Sequence, residues 1–146
     1  MNEAAEMKRV DEAREPGEAQ MIHSRARIII PFKKLREALQ ILRSVRERTR
    51  FKLGCVSTNI YREVDLENVI IVEECWSGEE ELEHHLRSDE YNKVLSVFDM
   101  ASVLPEISFD RILTTTGFET IEKARTQQSE RACTQHYTTT QGSVGS

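Results

Sequence analysis

Hydrophobic positions along the chain follow two rhythms, a period of two and a period of three to four, and these alternate in a definite order. Ala26-Arg-Ile-Ile-Ile30 is β-branched and stops at Pro31, which has no amide proton for a neighbouring strand, so a first strand is predicted there. Leu35, Ala38, Leu39, Leu42 and Val45 then recur at three- and four-residue spacing with Lys and Arg between them, which predicts an amphipathic helix over 33–48. After Gly54, residues 55–61 and 69–76 are β-rich runs separated by the polar turn 63–68, and they read as a hairpin. Ser77 with Glu80 three residues on is a capping-box signature, and Glu79, Glu80 and Glu81 put negative charge at the positive end of a helix dipole. A helix is therefore predicted from Ser77, with Leu82 and Leu86 as its apolar edge. Ser88-Asp89 predicts a restart into Tyr91, Val94, Leu95 and Phe98, so the second helical region breaks in two. Pro105 ends it, and Ile107, Phe109, Arg111 and Leu113 alternate with Ser108, Asp110 and Thr114 in a last strand. A short helix through Phe118, Ile121 and Lys123 follows Gly117.

The order strand, helix, strand, strand, helix, strand is that of the split β-α-β unit, an α+β ferredoxin-like sandwich with helices on one face of an antiparallel sheet. Its other face lies open. Ile28-Ile29-Ile30 and Val69-Ile70-Ile71-Val72 place apolar side chains on both parities, so the open face is expected to be apolar and to pair with a second copy of the chain.

Composition narrows the picture from outside. Charged residues make up 31% of the 146, and the excess over a typical ~25% sits at the ends. Residues 1–21 are charged with few large apolar groups, residues 127–146 are mostly Gln, Ser, Thr and Gly, and both are expected to be disordered. The domain is then 22–126, about 105 residues, enough for one hydrophobic core. A net charge of −5 with no basic run argues against nucleic acid as a partner. The absence of a long apolar stretch or a signal-like N-terminus argues for a cytoplasmic protein off the membrane. Cys55, Cys75 and Cys133 are odd in number and lack metal-ligand spacing, so neither a disulfide framework nor a metal site is indicated.

Several of these segments share one further property. Gly54-Cys55 after the first helix, Glu74-x-Trp76 closing a strand, His85-Leu86-x-Ser88 in the following helix and then Tyr91 together resemble the antibiotic biosynthesis monooxygenase family. The resemblance extends over 22–126, with an ending at Pro105-Glu-Ile-Ser-Phe109 and Gly117-Phe118 similar to that of quinol monooxygenase-like members. It implies a dimeric α+β barrel with a small cavity in each subunit between the sheet and the broken helical region. It also implies oxidation of a small phenolic or hydroquinone-type aromatic by molecular oxygen with no cofactor. Two positions depart from the family pattern: Lys52-Leu53 replaces an acidic-Pro pair, and Thr58 stands where a Tyr is frequent. Haem-degrading relatives carry an aromatic at the position of His85 and an Asn early in the first strand, and neither is present.

The residues themselves support two readings. His85 flanks the apolar edge of its helix whereas His84 points away, so His85 alone of the two can face a cavity. Glu74 and Trp76 share a strand face by period two, and a partly buried Glu74 needs a partner that His85 can supply. The pair is either a general base, His85, with Glu74 as its orienter, or a structural ion pair holding helix to sheet. Trp76, Tyr91 and Asn59 are candidates for binding the substrate. A non-catalytic small-molecule-binding or interaction module on the same scaffold is the alternative, because a fold does not fix a function.

Overall fold

The computed structural model describes residues 20–141. Its elements are β1 (Ile22–Ile29), α1 (Phe32–Thr49), β2 (Cys55–Arg62), β3 (Val69–Trp76), α2 (Glu79–Leu86), α3 (Asp89–Met100), β4 (Glu106–Arg111) and α4 (Phe118–Gln141). The four strands form one sheet in the order β2-β3-β1-β4, with every neighbouring pair antiparallel. This is the α+β ferredoxin-like arrangement that the element order predicts.

Register fixes which side chains meet the helices. Ile28 pairs with Ile70, Ala26 with Val72, Ser24 with Glu74 and Ile22 with Trp76, and these positions face inward. Ile28, Ile30 and Ile70 pack with Ala38 and Leu42 of α1 and Val97 of α3 into the main core, where each large side chain removed from water contributes about 1.5–3 kcal/mol. A second, smaller cluster joins Ile22, Trp76 and Leu82, with Cys55 and Leu86 against it. It lies at the opposite end of β1 and β3 from Ile28 and Ile70.

Four elements differ from their sequence-based expectation, among them the last helix, expected to be short and observed over Phe118–Gln141. β1 begins at Ile22 rather than Ala26, since His23, Ser24 and Arg25 are polar residues with weak strand signal and are held only by pairing with β3 and β4. α2 begins at Glu79 with Gly78 before it and no side-chain cap, because the Ser77 amide is held by the Gly54 carbonyl at 2.8 Å and keeps the chain extended past Ser77. The Ser88 restart forms as predicted, its hydroxyl accepting the Tyr91 amide. β4 is an edge strand with all six residues exposed, and it stops at Arg111.

The open sheet face is less apolar than the run of branched residues suggests. Ile29, Ile71 and Tyr61 gather at one end, with Val69 buried beside them, but His23, Arg25 and Glu73 occupy the other. Arg27 pairs with Glu63 at 2.5 Å and Arg25 with Glu73 at 3.7 Å. Of Ile28-Ile29-Ile30 only Ile29 lies outward, and Arg25 and Arg27 precede it on the same face of β1.

Among the described residues, 20–113 form one compact unit and 114–141 a second. α4 runs through residue 126, the expected edge of the domain, and across most of the expected C-terminal tail, because 118–141 contain neither Gly nor Pro to interrupt it. The expectation of disorder for 1–19 and 142–146 lies outside the described residues.

Candidate functional site

Alternation along β3 brings Glu74 and Trp76 to the inner face side by side, and Trp76 Nε1 donates a hydrogen bond to Glu74 Oε2 at 3.0 Å. His85, one turn after the buried Leu82, turns its ring onto the same place. It stacks on Trp76 with centroids 4.5 Å apart and an interplanar angle of 27°, and its Nε2 lies 3.2 Å from Glu74 Oε2. Tyr91 in the first turn of α3 meets the His85 ring edge-on at 5.4 Å, positioned by its own amide's bond to Ser88 Oγ at 3.3 Å. Four of the five residues that the sequence singles out therefore form one cluster.

Burial gives the cluster its electrostatic character. His85 is 0% exposed and Glu74 6%. A carboxylate in such a place is costly unless donors surround it. Trp76 supplies one, and His85 Nε2 approaches the same oxygen without hydrogen-bond alignment, which leaves that ring nitrogen unpaired. Burial, and then the nearby Glu74 charge, raise the Tyr91 phenol above its ordinary range. The Cys55 thiol is raised for the same two reasons in the same order.

Lys52 belongs to the cluster, and sequence reasoning missed it. Its Nζ lies 3.2 Å from His85 Nδ1, 2.9 Å from Ser88 Oγ and 3.2 Å from the Glu90 carboxylate. The Glu90 carboxyl is held below its usual range by its own backbone amide and by Lys52. Lys52 reaches this place because the chain turns at Gly54, with φ +82°, and the Gly54 carbonyl is tied to the end of β3. The one signal available beforehand was its departure from the family pattern.

Two openings flank the cluster. A narrow, mostly apolar cavity between the sheet and α3 is lined by Ala26, Val72, Glu74, Tyr91, Val94 and Phe109. A wider cleft on the far side is lined by Lys52, Leu53, Trp76, Glu81, His84 and His85. Asn59 is not part of this arrangement: it pairs across the sheet with Glu73 and is exposed on the open face. Its neighbour Thr58 pairs with Glu74 and is buried, so the inward residue of that strand is the one that departs from the family's frequent Tyr.

The fold has counterparts among solved structures. A conserved protein from Methanosarcina mazei Go1 superposes with a TM-score of 0.60 at 23% identity, covering 64% of this chain and 94% of that one. Rv0793 from Mycobacterium tuberculosis superposes with a TM-score of 0.61 at 18% identity, covering 66% and 99%. A Caulobacter crescentus CB15 protein, provisionally named an antibiotic biosynthesis monooxygenase, matches with a TM-score of 0.61 at 18% identity, covering 66% and 93%. No curated protein matches the sequence. Among the described residues no helix is long and apolar enough to cross a membrane. The model of the antibiotic biosynthesis monooxygenase family matches residues 21–95, which contain β1 to β3 and the whole Glu74, Trp76, His85 and Tyr91 cluster, and the chain belongs to that family.

Proposed function

We propose that this chain is a cofactor-independent monooxygenase that oxidises a small phenolic or hydroquinone-type aromatic with molecular oxygen, as a cytoplasmic homodimer joined through the open sheet face. The observation that carries the reading is the buried Glu74–His85 pair at the wall of an apolar cavity, with Trp76 and Tyr91 against it. Such a reaction asks little of a protein: a base, a dry pocket and an orientation. The Glu74–His85 pair takes the phenolic proton, and the electron-rich anion passes an electron to oxygen. Recombination forms a ring C–O bond, and loss of water breaks the O–O bond. Hydroquinone plus O2 becomes hydroxyquinone plus water, so the substrate supplies all the electrons and neither metal nor flavin takes part. Seating an aromatic ring against Tyr91 requires this cavity of about 20 Å³ to widen, and Trp76 holds the carboxylate in place.

One observation favours the alternative, a non-catalytic binding module. Both ring nitrogens of His85 face protein groups, Lys52 and Glu74, as in a structural pair. Oxygen-electrode assays against a small hydroquinone panel, with spontaneous oxidation subtracted, separate the two. The oxygenase reading expects consumption above the blank and a loss of roughly 10²-fold or more in Glu74→Gln with the fold retained. Rates equal to the blank on every substrate would leave the binding module.

A further inference from the structure

We propose that Lys52 is a positioning residue that fixes the tautomer of His85 and thereby makes Glu74, rather than His85, the base of this site. An ammonium group has donors and no acceptor, so a Lys52 Nζ 3.2 Å from His85 Nδ1 requires Nδ1 to be the bare, accepting nitrogen. The ring proton of the neutral imidazole then sits on Nε2, on the side of the Glu74 carboxylate 3.2 Å away. A nitrogen that already carries a proton cannot accept one from a substrate, and the other nitrogen is covered by a cation. Lys52 is itself held against movement by Ser88 Oγ at 2.9 Å and Glu90 at 3.2 Å, both on the chain that leads into α3. The clamp therefore joins the loop after α1 to residues 85–90, where α2 ends and α3 begins.

The lining of the two openings separates the two groups. Glu74 lines the apolar cavity together with Tyr91, whereas His85 lines the opposite cleft together with Lys52. The cavity, about 20 Å³, takes a molecule the size of water, and the proton acceptor on that side is the carboxylate, with His85 behind it. Nε2 is buried and lacks an aligned partner, so its N–H has spare donor capacity for Glu74 Oε2, 3.2 Å away, or for a developing oxygen charge nearby. His85 is then a donor that orients the base, the reverse of the order suggested by a lone histidine in the sequence.

The consequence for catalysis rests on the oxygenase reading, but the tautomer does not, and the experiment keeps the two apart. Nitrogen-15 spectra of the full chain with labelled histidine report which nitrogen of His85 carries the proton at neutral pH. We expect Nε2–H in the wild type and in Lys52→Arg, and a shift toward Nδ1–H or the doubly protonated ring in Lys52→Met. A wild type with Nδ1–H, or a Lys52→Met spectrum unchanged at His85, overturns the proposal. If hydroquinone-dependent oxygen consumption is present, Lys52→Met should lower kcat roughly tenfold or more with little change in KM, and Lys52→Arg should recover most of it. A kcat unaffected in Lys52→Met overturns the catalytic role even if the tautomer shifts. Oxygen consumption absent from the wild type would sink the oxygenase reading and leave the spectra to decide the role of Lys52.

Discussion

At Trp76 one indole N–H serves a buried carboxylate, and the consequence of removing it is direct. Trp76→Phe keeps an aromatic ring against His85 but leaves Glu74 without its aligned donor. We expect a loss of about 1–3 kcal/mol, read by chemical denaturation, because an unsatisfied buried acceptor bears its full desolvation cost. No measurable loss would mean that water replaces the indole and that the site is wetter than its burial indicates. Tyr91 allows a pH test with a definite sign. Its folded phenol is raised above the ordinary value of 10.0, so the unfolded chain ionises first and the folded state is increasingly disfavoured as pH rises past that value. Melting temperature should therefore fall in the wild type between about pH 9.5 and 11, and fall less in Tyr91→Phe. Equal slopes in the two proteins would remove Tyr91 from that alkaline limb; Cys55 and Cys75, raised by burial, contribute with the same sign in both.

Among elements, the short links decide the site more than the regular structure does. The turn from α1 to β2 holds Gly54 at φ +82°, and a Cβ there would run into the Cβ and Cγ of Glu81 and Ser77 Oγ. Gly54→Ala should cost about 1–3 kcal/mol by denaturant titration, combining left-handed strain with a displaced α2. The same variant should disturb the Lys52 contact to His85, since that loop delivers Lys52. A Gly54→Ala protein as stable as wild type would show that the loop has a second conformation able to seat a side chain. The break between α2 and α3 is equally consequential. Ser88 caps α3, donates its own hydroxyl to the His85 carbonyl at 2.6 Å and accepts from Lys52, so one side chain ends one helix, starts the next and holds the clamp.

At the scale of the sheet-bearing unit, residues 20–113, the open sheet face is the unpartnered surface of a two-layer fold. Its ion pairs, Arg27 with Glu63 and Glu106 and Arg25 with Glu73, are partly exposed and individually contribute little. Ile29, Ile71 and Tyr61 provide an apolar end that favours association. A homodimer through this face should bury more than ~1,000 Å² and persist at micromolar concentration in light scattering. Ile71→Glu, placing a charge in the middle of the apolar end, should give a monomer. A wild type that scatters as a monomer, or an Ile71→Glu variant that stays dimeric, would place the interface elsewhere or remove it.

Element order, the broken second helix and the inward pairing of Glu74 with Trp76 were legible in the sequence, because each depends on local rules: alternation in strands, three-to-four spacing in helices, and a capping serine. The same rules placed His85, by its spacing from Leu82, beside the apolar edge. They could not place Lys52, whose bond to His85 spans 33 residues and depends on a glycine turn, a strand end and two helix termini meeting in space. Nor could they seat Asn59, since adjacent residues of a strand face opposite ways and only the register with β3 decides which one looks inward. The polarity of the open face was misread for a related reason: a run of branched residues reports strand propensity, while the interleaved arginines reveal their side only once partners are assigned. Local spacing thus determined which residue types come near the site, and tertiary contacts decided which nitrogen faces which oxygen, because proton positions depend on neighbours that the chain brings from far away.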